Sequence, residues 1–415
     1  MSSPKRVGFI ISERRRKMKK GYFILMVSLI SIVAMTACDT GDKPTEDKLQ
    51  YNWPKSINIT SPSKGPKYYA PLAFAGVLEE KTGMKVRITP EEVGAQRLNS
   101  FRRKEFEIFA EGSGGPLFFM EGRDEYAAKG SGPLPITIMW PATIEPFAPM
   151  LRGDTEYKTI KDLKPGFTFA VPPGIAPRAN CYGVAAWAGL KDNEWSMVEF
   201  GSMNAAIKAI PDGKADTVWW IPDAGETFEA ETTPKGLHWL DLDPKADPAR
   251  AEQALDKCPN WMFGKAPDTS VKSAKDKKVV LVPTYLYVLE DLDEDLVYNM
   301  CKFIHENHAS IMEKHASTAT MSLDSFKSIL GAGFIPLHTG TIKFLKEKGI
   351  WTSADDKRQT YNKNLFNRYI EAFGAAVAEA DKKKIKATPN NEEWLNVWAK
   401  HKRDIPRLKV MLEIP

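Results

Sequence analysis

Four cysteines in 415 residues, at positions 38, 181, 258 and 301, are too few and too widely spaced for a disulfide framework or a cysteine-based metal site. Stability must therefore come from packing. The chain holds no GxSxG elbow, HExxH pair, phosphate-binding P-loop or paired CxxC, so the chemistry those motifs carry is not expected, and no general acid or base stands out. We read the chain as a non-enzyme without cofactor or metal. His305, His308 and His315 approach metal-ligand spacing, but His315 lies seven residues beyond His308, and a solvated helix face explains them better. A strong charge imbalance is missing too. The formal net charge is +5, but the first 20 residues hold eight Lys or Arg against one Glu, which leaves the remainder near neutral and gives no electrostatic case for nucleic acid. After residue 37 no apolar run is long enough to cross a bilayer.

One intensely apolar run is present, Tyr22 to Ala37, preceded by Lys17, Lys19 and Lys20. Its 16 residues fall short of the roughly 20 that span a membrane as a helix, and its small-residue end suits a processing site. We read residues 1–37 as a signal peptide; a start at Met18 would shorten the leader. Met35, Thr36, Ala37 and Cys38 resemble the lipobox of bacterial lipoproteins, with Met35 where leucine is commoner, so Cys38 is the expected lipidation site. The polar stretch 38–52 reads as a flexible lipidated tether that holds the body at a membrane surface, in the periplasm or on the outer face of the cell membrane.

The remaining body, about 365 residues, exceeds what one core usually accommodates, so two lobes are expected. Short apolar strands alternate with amphipathic helices, the rhythm of an α/β protein. Strands are expected at 56–60, 85–89, 106–110, 136–140, 167–171, 197–200, 217–221 and 279–289. Gly83 suits the end of a helix through Leu72, Phe74, Val77 and Leu78, and Ser202 suits the start of the next.

Four loops at strand ends are candidate ligand contacts. In the first, Ser61, Ser63 and Lys64 suit an anion, and Tyr68 or Tyr69 offers an aromatic wall. In the second, Gly112, Ser113 and Gly114 allow close backbone approach. In the third, Pro173 and Gly174 turn the chain into a helix whose first turn carries Arg178, a candidate carboxylate clamp. In the fourth, Trp219 and Trp220 point to opposite faces, so one faces the ligand with Asp223 while the other packs inside. Trp140, at the end of its strand, is a further aromatic candidate.

Three segments in order, IKDLKPGFTFAVPPG (160–174), AAIKAIPDGKADTVWWI (205–221) and FIPLHTGTIKFLKEKGIW (334–351), resemble the TAXI-type solute receptors of tripartite ATP-independent periplasmic (TRAP) transporters. The resemblance implies a two-lobed periplasmic-binding-protein fold of type II with a hinge: lobe one over 53–146 plus 278–351, lobe two over 147–277, and a C-terminal helical extension over 352–415. It implies capture of a small organic solute between the lobes and delivery to TRAP membrane permease subunits. The family's glycine-rich opening loop is replaced here by SPSKGPKYYAP, and its later GGS segment corresponds to VGAQRLN, which makes Gln96 and Arg97 candidate contacts. With Arg178 and Lys64 to cancel charge, the expected solute is a carboxylate-bearing organic anion, aromatic or modestly large. The alternatives are a ligand-sensing or interaction lipoprotein, and an envelope enzyme built on Cys181 with a distant histidine.

Overall fold

Short β-rich runs and amphipathic helices assemble in the expected rhythm. The structure is a computed structural model describing residues 51–63, 66–91, 93–172 and 175–411, with backbone alone over 175–177. The leader, Cys38 and the tether lie outside the described residues. Among the described residues ten strands form one sheet: β1 (Ser56–Ser61), β2 (Lys85–Pro90), β3 (Ile108–Gly112), β4 (Ile136–Arg152), β5 (Phe167–Val171), β6 (Trp195–Glu199), β7 (Thr217–Trp220), β8 (Leu237–Trp239), β9 (Met262–Lys265) and β10 (Lys278–Leu289). The order is β2-β1-β3-β10-β4-β7-β5-β6, with β8 on β4 and β9 on β10.

That order makes the molecule two-lobed. β1 pairs in parallel with β2 and β3, while β5 pairs in parallel with β6 and β7, so each lobe is a small parallel α/β sheet. The long antiparallel pair β4 and β10 connects them: β10 lies against β3, and the last residues of β4 lie against β7 and β8. The expected lobe boundary at 146/147 falls inside β4, a strand that serves both sides.

The sequence reading ends this strand at Trp140; the strand runs on to Arg152. Pro141, Pro146 and Pro149 all lie within it, and Pro283 lies within β10 opposite Ile144. Proline removes a ladder donor and is usually confined to edges and irregular positions. Here the ladder is indeed irregular: the β4–β10 register shifts between Thr284 and Tyr285 and again after Leu286, and β4 changes partner near Pro146 to Pro149.

Local signals behave as their chemistry demands. Gly83 adopts φ +72° directly after the helix Pro66–Thr82, and the Ser202 hydroxyl accepts the Ala205 N–H at 3.2 Å. Downstream, a capping box between Thr352 and Asp355 starts the 31-residue helix Ser353–Lys383. Its Phe366, Tyr369 and Phe373 are buried, and Phe373 meets Trp394 and Trp398 of the helix Glu392–Lys402 edge to face at 5.6 and 5.0 Å. The two indoles dock on lobe one: Trp394 donates to the Ala127 carbonyl and Trp398 to the Glu121 and Gly122 carbonyls. Gly122 has φ +53°, and a Cβ there would sit 2.7 Å from the Trp398 Nε1, so glycine is required twice over.

From there the chain crosses to lobe two. Leu408 N–H reaches the Glu121 carboxylate at 3.3 Å, Val410 N–H reaches the Pro259 carbonyl at 2.7 Å, and Lys409 pairs with Glu252 at 2.6 Å. Leu408 and Val410 are fully buried.

Candidate functional site

The loops that follow β1, β3, β5 and β7 leave the carboxyl ends of parallel strands, where α/β proteins place ligands. In lobe one the loop after β3 carries Gly112, Ser113 and Gly114. The Ser113 N–H is held by the Pro283 carbonyl at 2.9 Å, which fixes this loop against the hinge strand β10. A Cβ on Gly114 would lie 3.4 Å from the Asn260 amide of the other lobe, so the loop closely approaches the opposite wall.

Glu111, at the end of β3, organises the charges. It pairs with Lys67 at 2.5 Å and with Arg97, which also donates to the Glu91 carbonyl, and it accepts the Gly112 N–H at 2.7 Å. Burial alone would raise this carboxyl; the Lys67 and Arg97 charges more than offset it and hold it below the usual range. Arg97 is therefore a buried partner of Glu111. Gln96 is exposed, and its amide nitrogen, turned to donate, meets the Glu91 carboxylate at 3.1 Å.

Glu145, on β4, differs. It is half-buried with no hydrogen-bonding or ion-pair partner among the described residues. Burial pushes its carboxyl up and the Asp223 charge adds to that, while the Lys67 charge opposes it. Asp223, half-buried in the turn after β7, is also raised by burial and accepts a hydrogen bond from Thr269 at 3.2 Å. Buried hydroxyls without partners among the described residues occur on Thr60 at the end of β1, Ser113 after β3 and Thr143 on β4. The Trp220 indole N–H is likewise buried and unmatched. Unsatisfied buried polar groups are rare in folded proteins and ask for an explanation.

The other sequence candidates are placed as follows. Lys64, Pro173 and Gly174 lie outside the described residues. Ser61 is buried, with its hydroxyl on the Pro62 carbonyl at 2.9 Å, and Ser63 is exposed. Tyr68 is half-buried, and Tyr69 stacks on His315 with ring centroids 4.8 Å apart. Arg178 is half-exposed and pairs with Glu199 at 2.5 Å, so the candidate clamp already holds a carboxylate of its own lobe. Trp140 is corrected from a ligand wall to core: it is fully buried, donates to the Met321 carbonyl at 2.9 Å and meets Phe326 and Phe344 edge to face. Of the tryptophan pair, Trp219 stacks between Phe147 and Trp261, which leaves Trp220 to face the loops. Cys181 is buried and its thiol is pushed up to about 12, the opposite of what a nucleophile needs.

Sequence reasoning missed Lys67, Glu111, Thr143 and Glu145. The available signal for Glu145 was a lone acid within an apolar run, Thr143 to Leu151, that two prolines within it, Pro146 and Pro149, disguised as a loop.

Comparison with known proteins gives one family match: the model of the NMT1-like family matches residues 59–349. No curated protein matches the chain. Among solved structures, MatC from Rhodopseudomonas palustris with bound malate is similar at 11% identity over 76% of this chain and 100% of that chain, TM-score 0.38. The periplasmic aliphatic sulphonate binding protein SsuA from Escherichia coli is similar at 12% identity over 76% and 87%, TM-score 0.40. A TctC solute binding protein from Polaromonas is similar at 11% identity over 75% and 98%, TM-score 0.40.

Proposed function

Because this chain belongs to the NMT1-like family, we propose that it is an extracytoplasmic solute receptor, which takes up a small organic solute between its lobes without transforming it. The observation that carries the reading is a set of buried hydroxyls and an indole N–H without partners among the described residues, on β1, β4, β7 and the loop after β3, where that loop also approaches Asn260 of the other lobe. A solute supplying those partners gains more from the closed arrangement than from an open one, which is the condition for ligand-driven closure. The leader and Cys38 support lipid anchoring outside the cytoplasm, and the three sequence segments resembling TAXI receptors support delivery to a TRAP-type permease. An anionic group on the solute would rely on backbone N–H groups at these strand ends, since Lys67, Arg97 and Arg178 each already face a carboxylate.

The test is a thermal-shift screen of the purified protein against carboxylates, sulfonates, amines and aromatic acids. A ligand at 100 times its dissociation constant stabilises the fold by about 2.7 kcal/mol. A raised Tm without consumption of the compound is the expected result; turnover of the compound, or no shift from any class, overturns the reading.

A further inference from the structure

Three carboxylates, Glu111, Glu145 and Asp223, gather beside the hinge, and two described cations, Lys67 and Arg97, accompany them. Both cations bond Glu111. Among the described residues the group therefore carries one more negative charge than positive, and the excess falls at Glu145 and Asp223. The end of the β4–β7 pairing brings these two near each other. β4 and β7 set Ala148 opposite Trp220, Pro149 opposite Trp219 and Met150 opposite Val218. Glu145 lies three residues before Ala148 on β4 and Asp223 in the turn three residues after Trp220, close enough that the Asp223 charge acts on Glu145. Glu145 comes from the hinge strand and Asp223 from a lobe-two loop, so a group between them touches both sides of the closing cleft.

A second observation points to a ligand at this place. Thr143 is 2% exposed, its hydroxyl has no partner, and strand alternation puts it on the same face of β4 as Glu145. Ser113, 0% exposed and also without a partner for its hydroxyl, is tied by its N–H to Pro283, the residue opposite Ile144 between those two. Lys67, the cation that acts on Glu145, is already bonded to Glu111, and half-buried carboxylates that make no ion pair of their own are costly to keep, with an unmatched hydroxyl beside them adding to the cost.

We propose that the solute carries a protonated amine, which docks between Glu145 and Asp223 with the Thr143 hydroxyl as a further acceptor. The inference rests on the receptor reading and names the chemistry of its site. An ammonium offers three donors and one positive charge, which matches two carboxylates, one hydroxyl and one excess negative charge.

The experiment measures thermal shift and calorimetric affinity on the full chain with putrescine, agmatine and tyramine, each beside its N-acetylated counterpart, and with succinate and ethanesulfonate. At least one amine should raise Tm, acetylation of its amine should abolish the effect, and Glu145→Gln and Asp223→Asn should each weaken binding by about tenfold or more. Each variant's unliganded Tm shows that it folds, and either one alone suffices. Stabilisation by carboxylate or sulfonate only, or amine binding indifferent to both substitutions, overturns the amine docking and leaves the receptor standing. No shift from any class overturns both.

Discussion

The surface where the C-terminal helices dock and the cleft beside the hinge both bury tryptophan, yet they treat its N–H in opposite ways. Trp394 and Trp398 donate to carbonyls of lobe one, and Tyr369 donates to the Pro406 carbonyl at 3.1 Å. In the cleft, Trp220, Ser113 and Thr143 are left unmatched. The same contrast holds for acids: Glu111 forms ion pairs with two cations, whereas Glu145 forms none among the described residues. The contrast belongs to the indoles and not to every group of the docked helices: Arg358 Nε and Asn362 Oδ1, on the helix Ser353–Lys383, are also buried and unmatched among the described residues.

The contrast is broken most forcefully at the docked helices. Trp398→Ala removes a buried indole and its hydrogen bonds, and should cost about 4 kcal/mol in denaturant unfolding. Solute affinity measured below the lowered Tm should stay unchanged. Glu111→Gln comes next: it removes the carboxylate charge that Lys67 and the buried Arg97 both face and should cost about 3 kcal/mol.

Glu145→Gln should act in the other direction. Glu145 faces Lys67 from the first helix and Asp223 from lobe two, and its carboxyl is raised in the fold. A raised carboxyl binds its proton more tightly folded than unfolded, so its charge costs stability above the folded pKa. That cost fades as pH falls through the raised value toward the ordinary carboxylate range. The variant should therefore melt above the wild type at neutral pH, with the gap closing on acidification. A parallel pair of Tm-against-pH curves reads it, and a variant that melts lower at neutral pH would show Glu145 to be matched after all. Smallest of all, Arg178→Ala removes an exposed pair with Glu199 and should leave Tm within error. A large loss of affinity for an identified solute in that variant would restore its role as a clamp.

Much of the fold is legible in the sequence because local signals agree with tertiary ones. β5 begins at Phe167 and ends at Val171 as the apolar run indicates, and β10 departs from expectation by one residue. β4 is hidden because proline weakens the strand signal locally while partners on both sides restore it. The site follows the same rule. The loops after β1, β3, β5 and β7 are visible as breaks in pattern, but which side chains pair across them is not. Arg97 pairs with Glu111, 14 residues away in sequence, and the Asp223 charge reaches Glu145 from the turn after a different strand. Trp140 misleads because an aromatic at an apparent strand end is really mid-strand, beneath the helices Leu323–Leu330 and Thr339–Glu347.

The path of the chain through β10 and the terminal segment bears on how the protein is made. The strands and helices between β4 and β9 are contiguous in sequence, so that lobe can gather most of its contacts while later residues are still being synthesised or exported. β1, β2 and β3 must wait for β10, more than 160 residues downstream of β3, to seal their sheet. The final contacts wait longer still, because Val410 bonds Pro259 across about 150 residues of chain. Such distant closures slow folding, and a chain truncated before Arg407 would emerge with Glu121 and Pro259 exposed at the ends of an unfinished assembly. Residues far from any solute thus decide when the cleft first exists.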